Sequence, residues 1–349
     1  MHVLTHLKRV VTDWFLCGML IATLLAYFFP KFGGAGGGMH SEYVINVGVF
    51  LVFFLHGVNL SSEQISHGLK NWKLHIMVQS FTFVVFPLIW LACNKLFGSQ
   101  LPALLMLGFF YLCALPSTIS SSVALTGSAN GNVPAAILNA SMSSVFGIFM
   151  TPWLVSMVVG SGAGGIDLGA TLLDLCAMLL LPLVLGQLVR PFFGKFFARH
   201  KRYTNIVDKL VILLLVYSAF CNSMVSGMWQ QQGSSVILSA FIGSALLLAI
   251  ILFMTTRTAR ALKFSHADEV AAVFCASKKS LAAGAPMAAL IFGSNPGLGL
   301  ILLPIMIYHP MQLIVCSIMA ESYATRHRLL KAQESEVSVG ANLLAKRST

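Results

Sequence analysis

Two adjacent lysines lie within a stretch of the sequence that is otherwise apolar. Lys278 and Lys279 belong to the segment CASKKSLAAGAP, residues 275–286, inside an apolar run over residues 270–292. A charge within a membrane span costs about 2.5–3.5 kcal/mol on insertion scales, so two retained charges indicate a function. The predicted span starts at Asp268, about 15 Å from Lys278 at helical rise, so neither membrane interface is close. An ammonium group at this depth could bind an anion or take the position of a metal cation.

Hydroxyl side chains form a second candidate cluster in the first half of the chain. Residues 115–122 read LPSTISSS, and Thr126 follows one helical turn later. Proline lacks an N–H and serine hydroxyls compete for backbone partners, so this motif predicts an interrupted helix. Ser277 and Ser280 flank the lysines and favour a similar interruption there. Freed carbonyls and hydroxyl oxygens at such a break can coordinate a cation.

The serines of the first motif cannot all serve one site. On a helix Ser120, Ser121 and Ser122 would spread around most of a turn, so at most two converge, and we favour Ser122. Ser122 and Thr126 are therefore the candidate sodium ligands. In the alternative interpretation the serines only satisfy the broken backbone or allow neighbouring helices to approach closely.

Other polar residues within apolar stretches carry weaker indications. Asn132 and Asn139 are candidates for coordinating a solute or an ion, although an asparagine beside a glycine, as at Asn132, is also typical of a helix end. Asp174 is either a functional residue, as a proton carrier or as the partner of a lysine, or an interfacial residue. His309, which precedes Pro310, is expected to be buried or interfacial rather than a metal ligand.

The composition shows which elements must position these residues. Of 349 residues, 57% are hydrophobic and only 9% are charged, which is typical of an integral membrane protein and not of a globular one. The lipid bilayer is therefore a predicted partner and surrounds the protein. Apolar blocks of about 20 residues, each sufficient to cross the hydrocarbon core as a helix, recur along the chain. We predict an all-α protein with ten transmembrane helices, at residues 13–30, 43–60, 73–95, 101–127, 133–160, 167–190, 205–227, 233–254, 268–293 and 297–320.

The net charge of +11 follows this topology and does not indicate nucleic acid as a partner. With a cytoplasmic amino terminus, Lys31 and Lys95 are the only basic residues on the far side of the membrane. The lysines and arginines in the remaining loops and in the tail are cytoplasmic. By the positive-inside rule both termini are then cytoplasmic, and the expected location is the cytoplasmic (inner) membrane.

Ten predicted helices divide into two halves of five. Because each half crosses the membrane an odd number of times, the two halves have opposite orientations in the membrane. The first inverted repeat is 1–160, the second is 161–320, and residues 321–349 form a cytoplasmic tail. The predicted helices four and nine both carry a polar, proline-marked break, and the breaks are followed by similar Gly-Asn-Val-Pro and Gly-Ser-Asn-Pro motifs at 131–134 and 293–296. Paired interruptions of this kind mark the solute site of a transporter, where non-helical backbone is buried in protein or lines a watery cavity.

These motifs resemble the bile acid:sodium symporter (BASS/SBF) superfamily, and most closely its SBF-like branch with the YfeH-type bacterial members. The resemblance covers about residues 10 to 320. It implies a core domain of helices three to five and eight to ten, in which the broken helices four and nine cross, and a panel domain of the other four. It also implies that sodium binds beside the crossing and that an organic anion sits between core and panel.

The site residues of the family transfer only in part. Its sodium-binding serine falls at Ser122, but Val123 replaces the asparagine that follows in the family. Two later hydroxyl ligands fall near alanines at 136 and 140. In the second half, the family's glutamine and asparagine fall at Ser277 and Lys278, and its glutamate falls near Val273.

The sequence predicts a secondary active transporter, symporter-like, that moves a small organic anion by alternating access with sodium or proton coupling. The candidate binding residues are Ser120, Ser121, Ser122, Thr126, Asn132, Asn139, Ser277, Lys278, Lys279 and Ser280. One hypothesis puts the ammonium of Lys278, or less favoured Lys279, in the position of sodium; the other has the lysines bind the anion. The alternative function is an ion-handling or regulatory membrane protein. An enzyme is disfavoured, and no cofactor other than a sodium ion and no oligomeric state is predicted.

Overall fold

The computed structural model describes residues 13–34, 36–59, 71–159, 168–233, 235–293 and 295–347, with only the backbone given for 41–42, 168–176, 231–232 and 330–347. Every regular element in this part of the chain is a helix. In chain order they are α1 (Trp14–Phe28), α2 (Pro30–Gly33), α3 (Ser41–Asn59), α4 (Trp72–Phe97), α5 (Ala103–Ala114), α6 (Ser120–Ser128), α7 (Val133–Val159), α8 (Leu168–Arg199), α9 (Lys201–Val225), α10 (Met228–Gln232), α11 (Ser235–Ala261), α12 (His266–Ala276), α13 (Leu281–Phe292) and α14 (Leu298–Arg347).

Six of these helices contain a segment long and apolar enough to cross a membrane. The segments are Trp72–Phe97, Val133–Val159, Ala177–Arg199, Lys201–Val225, Ser235–Ala261 and Leu298–Leu329. Three shorter apolar helices accompany them, at Trp14–Phe28, Tyr43–Asn59 and Ala103–Ala114. The chain is thus an all-helical, multi-pass membrane protein, and the count of ten spans stays a prediction.

The predicted fourth and ninth spans are each divided into two short helices. The first becomes α5 and α6, separated by residues 115–119, and the second becomes α12 and α13, separated by residues 277–280. We call these the first break and the second break. Each falls at the polar segment that the sequence marked, because Pro116 cannot donate to a helix and the hydroxyl side chains offer other partners.

The helices around the breaks pack tightly. Helix α3 lies against α8, α1 against α9, and α5 against α14. Gly57 on α3 and Gly186 on α8 have no room for a Cβ, because each faces a carbonyl of the other helix. Small residues of this kind permit the close approach of helices in a membrane. Helix α12 lies deepest, since residues 270–276 are all fully buried.

Helix α4 contains an irregular turn that the sequence analysis did not predict. Residues Phe81–Val85 form a π turn, in which the N–H of Phe86 bonds to the carbonyl of Phe81. Because Phe86 bonds to Phe81, its N–H is not available to the carbonyl of Thr82. The next residue that could donate to that carbonyl is Pro87, which has no N–H. The helix itself therefore leaves the Thr82 carbonyl without a donor.

Candidate solute and ion site at two helix breaks

The two breaks contact each other directly in an antiparallel arrangement. The N–H of Ser280 donates to the carbonyl of Pro116 at 2.9 Å. The hydroxyl of Ser117 donates to the carbonyl of Cys275 at 2.6 Å, and that of Ser122 to the carbonyl of Phe274 at 3.1 Å. Hydroxyls of the first break and of the first turn of α6 thus satisfy carbonyls at the end of α12, as the structural interpretation of the serines requires.

The carbonyls at and after the end of α5 are satisfied from two other elements, α7 and the second break. The carbonyl of Ala114 accepts from the hydroxyl of Thr151 on α7 at 2.8 Å, and that of Pro116 accepts from the second break. The carbonyls of Cys113 and Leu115 accept from the ammonium of Lys279, both at 2.7 Å. Buried carbonyls need partners, so these contacts allow the helix to stop inside the protein.

The ammonium of Lys279 is fully engaged. Besides Cys113 and Leu115 it donates to the carbonyl of Thr82 at 2.8 Å, the oxygen that the π turn of α4 leaves free. Its three N–H donors therefore match three carbonyls. The side chain is fully buried, and its nitrogen lies 4.0 Å from the centre of the Phe86 ring. The end of α5 also carries the negative pole of the helix, so this position is built for a positive charge.

The ammonium of Lys278 does not contact these carbonyls and has fewer hydrogen-bond partners in the described structure than that of Lys279. The Lys278 side chain is fully buried, yet its ammonium makes one hydrogen bond, to the carbonyl of Ser121 at 2.9 Å, and lies 5.4 Å from the centre of the Phe274 ring. No carboxylate in the described part of the chain pairs with it. Of the two lysines, it is Lys279 that meets freed carbonyls, whereas the sequence analysis preferred Lys278 for that position.

Two helix amino termini lie beside Lys278. Helix α6 begins at Ser120, next to the carbonyl that Lys278 contacts, and α13 begins after Ser280, whose hydroxyl accepts from the N–H of Ala283 at 3.2 Å. The amino end of a helix favours negative charge. Ser120 is exposed and Ser121 is partly exposed, so the first turn of α6 can be reached from outside the buried core.

Side chains of α14 hold the second break, a role that was not predicted from the sequence. The carbonyl of Ser277 accepts from the hydroxyl of Tyr308 at 2.8 Å. The amide of Gln312 pairs with the backbone of Lys279 twice, as acceptor from its N–H and donor to its carbonyl, both at 2.8 Å. A glutamine within an apolar run was the available signal.

Three buried oxygens near the breaks accept no hydrogen bond from the described residues. They are the hydroxyl oxygen of Thr126 and the side-chain amide oxygens of Asn139 and Gln79. Gln79 donates to the backbone carbonyl of Asn139 at 3.1 Å, which brings α4 and α7 together. Neutral oxygens fit an alkali cation, so Thr126 retains its candidacy as an ion ligand and Gln79 joins it. The hydroxyl of Ser122 is already engaged with Phe274 and with the hydroxyl of Thr118 at 2.9 Å.

Asn132 lies away from both breaks. Its side chain donates to Asp268 at the start of α12 at 2.8 Å and accepts from the N–H of Ala135 at 3.0 Å, so it caps α7. Asn71 donates to the other oxygen of Asp268 at 2.7 Å. The side chain of Asp174 is outside the described residues. Among those described, no three of the His, Cys, Asp and Glu side chains converge as metal ligands.

The chain is similar over nearly its whole length to members of a transporter family. Residues 13–325 match the SBF-like CPA transporter family. An uncharacterised protein of Pseudomonas aeruginosa is 41% identical over 91% of this chain and 95% of its own length. The protein named "Putative symporter YfeH" of Escherichia coli is 40% identical over 93% of this chain and 96% of its own length. Sodium/bile acid cotransporter 7 of Danio rerio is 34% identical over 91% of this chain and 96% of its own length. A polar pair of breaks in an all-helical membrane chain and these similarities agree: the protein belongs to the SBF-like transporter family and is a transporter, not an enzyme.

Proposed function

We propose that this transporter is a secondary active carrier that moves a small organic anion across the cytoplasmic membrane by alternating access. The observation that carries the proposal is the buried ammonium of Lys278, which has one hydrogen bond and no carboxylate partner in the described structure. An unpaired charge is costly to bury, and its retention is explained if a negatively charged solute completes its environment.

The position of Lys278 favours an anion small enough to enter between two helix ends. The first turn of α6 and the first turn of α13 offer N–H groups on either side of the second break. Together with the ammonium they provide positive potential, and a carboxylate or similar head group is the chemistry that matches it. The candidate contacts are Ser120, Ser121, Lys278 and Ser280.

The two lysines have different roles in coupling. Lys279 occupies the carbonyls that a metal cation could otherwise bind, so its role is that of an internal cation. Sodium, if it is the coupling ion, would bind as a co-substrate at the unpartnered oxygens of Thr126, Asn139 and Gln79. The name of the Danio rerio relative includes sodium, which supports sodium as the coupling ion. The alternative coupling ion is a proton, carried by a buried ionisable group.

Alternating access would use the inverted repeat. The first break and the second break lie in the two predicted halves, 1–160 and 161–320, and contact each other antiparallel, which is the relation expected of crossing, oppositely oriented half-helices. We infer that the predicted transmembrane helices three to five and eight to ten form the core that carries the site. The other four predicted transmembrane helices form the panel against which the core moves.

The experiment combines binding with transport. Purified protein is screened by thermal shift against organic anions, with and without sodium, and stabilising anions are tested for uptake into proteoliposomes under sodium or proton gradients. Lys278→Gln should weaken anion binding about 10- to 100-fold, the range expected for a lost charged hydrogen bond. The exposed Lys95 gives the matched control, Lys95→Gln, which should bind as the unchanged protein does.

The second candidate function, an ion-handling or regulatory membrane protein, is favoured by the network of neutral oxygens and would give a different result. In that case no anion would stabilise the protein or enter vesicles, whereas sodium alone would shift its melting temperature. Anion uptake that persists with unchanged affinity in Lys278→Gln would contradict the assignment of the anion site.

A further inference from the structure

The centre of the second break depends on one glutamine for its backbone hydrogen bonds. Lys279 lies between α12 and α13, so its N–H and its carbonyl have no helical partner. Gln312 supplies both partners at 2.8 Å and is itself fully buried. The non-helical conformation of Lys279 is therefore maintained by a side chain of α14.

The orientation of this glutamine specifies the protonation of a neighbouring histidine. The N–H of Lys279 can only donate, so it must face the oxygen of the Gln312 amide, and the amide nitrogen is turned to the other side. That nitrogen lies 3.0 Å from Nδ1 of His309, one turn earlier on α14. Because the amide nitrogen can only donate, Nδ1 must accept, and the imidazole must be neutral with its proton on Nε2.

His309 also lies where several charged groups meet. The groups that act on it are Lys278 on the second break, Lys209 on α9 and Asp13 at the start of α1, and the carbonyl of Lys279 is within its reach. The Phe15 ring of α1 packs against it edge-on at 6.3 Å. It therefore connects the break to two helices of the predicted panel.

We propose that His309 is a proton-binding residue that controls the conformation of the second break through Gln312. When Nδ1 gains a proton, two N–H groups face each other at 3.0 Å and the Gln312 contact is lost. The protonated imidazole then competes with Gln312 for the carbonyl of Lys279. The backbone of Lys279 is released from its fixed conformation, and the break loosens. This inference rests on the proposed function only in assigning the second break to the solute site.

Hydrogen exchange at the Lys279 amide tests the proposal directly. Between about pH 8 and pH 4, a range that extends low enough for a buried histidine beside lysines to gain a proton, protection of this amide should fall about ten-fold after correction for intrinsic exchange. In His309→Asn the side-chain oxygen can accept the same N–H from Gln312 but does not titrate. That variant should fold normally and keep its protection at both pH values. His266→Asn, at the start of α12, is the matched control and should respond as the unchanged protein does.

Two results would overturn the proposal: protection that does not change with pH in the unchanged protein, or an equal pH response in His309→Asn. Nitrogen NMR of labelled histidine provides a second measurement, since at pH 8 the signal that His309→Asn removes must report an unprotonated Nδ1. Neither measurement needs a transported solute. If exchange responds but no anion is carried, the proposed function fails alone; if an anion is carried but exchange does not respond, this inference fails alone.

Discussion

At the scale of single residues, two adjacent lysines differ completely in their surroundings. Lys279 has three carbonyl partners and Lys278 has one. The sequence identified both residues, because charge within an apolar run is rare. It favoured Lys278 for the cation position and could not show that Lys279 meets the freed carbonyls, since in a non-helical segment neighbouring side chains point apart and one acceptor of Lys279 comes from Thr82, far away in sequence.

Replacing Lys279 should destabilise the protein more than replacing Lys278. In Lys279→Met three buried carbonyls lose their donor, at about 1–3 kcal/mol for each group left unsatisfied, whereas in Lys278→Met the Ser121 carbonyl keeps the N–H of Leu125 one turn later in α6. Thermal unfolding in detergent, without ligand, measures the difference, with Lys278→Met as the matched control. Equal melting temperatures in the two variants would contradict the internal-cation role.

At the scale of elements, the breaks and the π turn of α4 are parts of one arrangement. The first break frees the carbonyls of Cys113 and Leu115, the π turn frees that of Thr82, and the second break supplies the lysine. The first break could be predicted from Pro116 and its neighbouring serines and the second from Ser277 and Ser280, whereas Pro286, which was predicted to mark the second break, lies inside α13. The π turn could not be predicted, because its signal is a single Pro87 in an apolar span, and a proline there is also compatible with a simple kink.

Restoring an N–H at position 87 should weaken the structure. In Pro87→Ala the new N–H can bond to the Thr82 carbonyl and compete with Lys279, although removal of proline from a helix interior ordinarily stabilises. We expect a lower melting temperature and faster hydrogen exchange in residues 113–119.

The exposed Pro191 of α8 provides the control, because Pro191→Ala changes the same residue type away from the breaks. A melting temperature that rises in both variants would show that the Thr82 carbonyl does not need Lys279.

At the scale of the whole molecule, composition alone predicted an all-helical membrane protein. Long apolar helices were predicted to within a few residues at their starts, as for α7 and α14, because uninterrupted apolar runs leave no alternative in lipid. Their ends were predicted less well: α14 continues as helix from the predicted last span through to Arg347, and the tail contains no proline to stop it.

The distribution of basic residues predicts that both ends of the chain face the cytoplasm. A fluorescent reporter fused after Thr349 should fold and fluoresce, and alkaline phosphatase at the same place should stay inactive, because only the cytoplasm supports the first and only the periplasm the second. Alkaline phosphatase inserted after Gly98, in the loop that follows Lys95, is the control and should be active. Active phosphatase at the carboxyl terminus would refute the predicted orientation.

The three-carbonyl contact of Lys279 has a consequence for how this transporter can use an ion gradient. A mobile sodium ion at such a position enters from one compartment and leaves into the other, so each cycle draws on the electrochemical potential difference between them. A cation attached to the chain makes the same contacts but never dissociates, so its net displacement over a complete cycle is zero. The carbonyls of Thr82, Cys113 and Leu115 therefore hold no ion that enters and leaves as sodium would, and any thermodynamic driving force for uphill movement of solute must enter through groups that empty and refill, whether with sodium or with a proton.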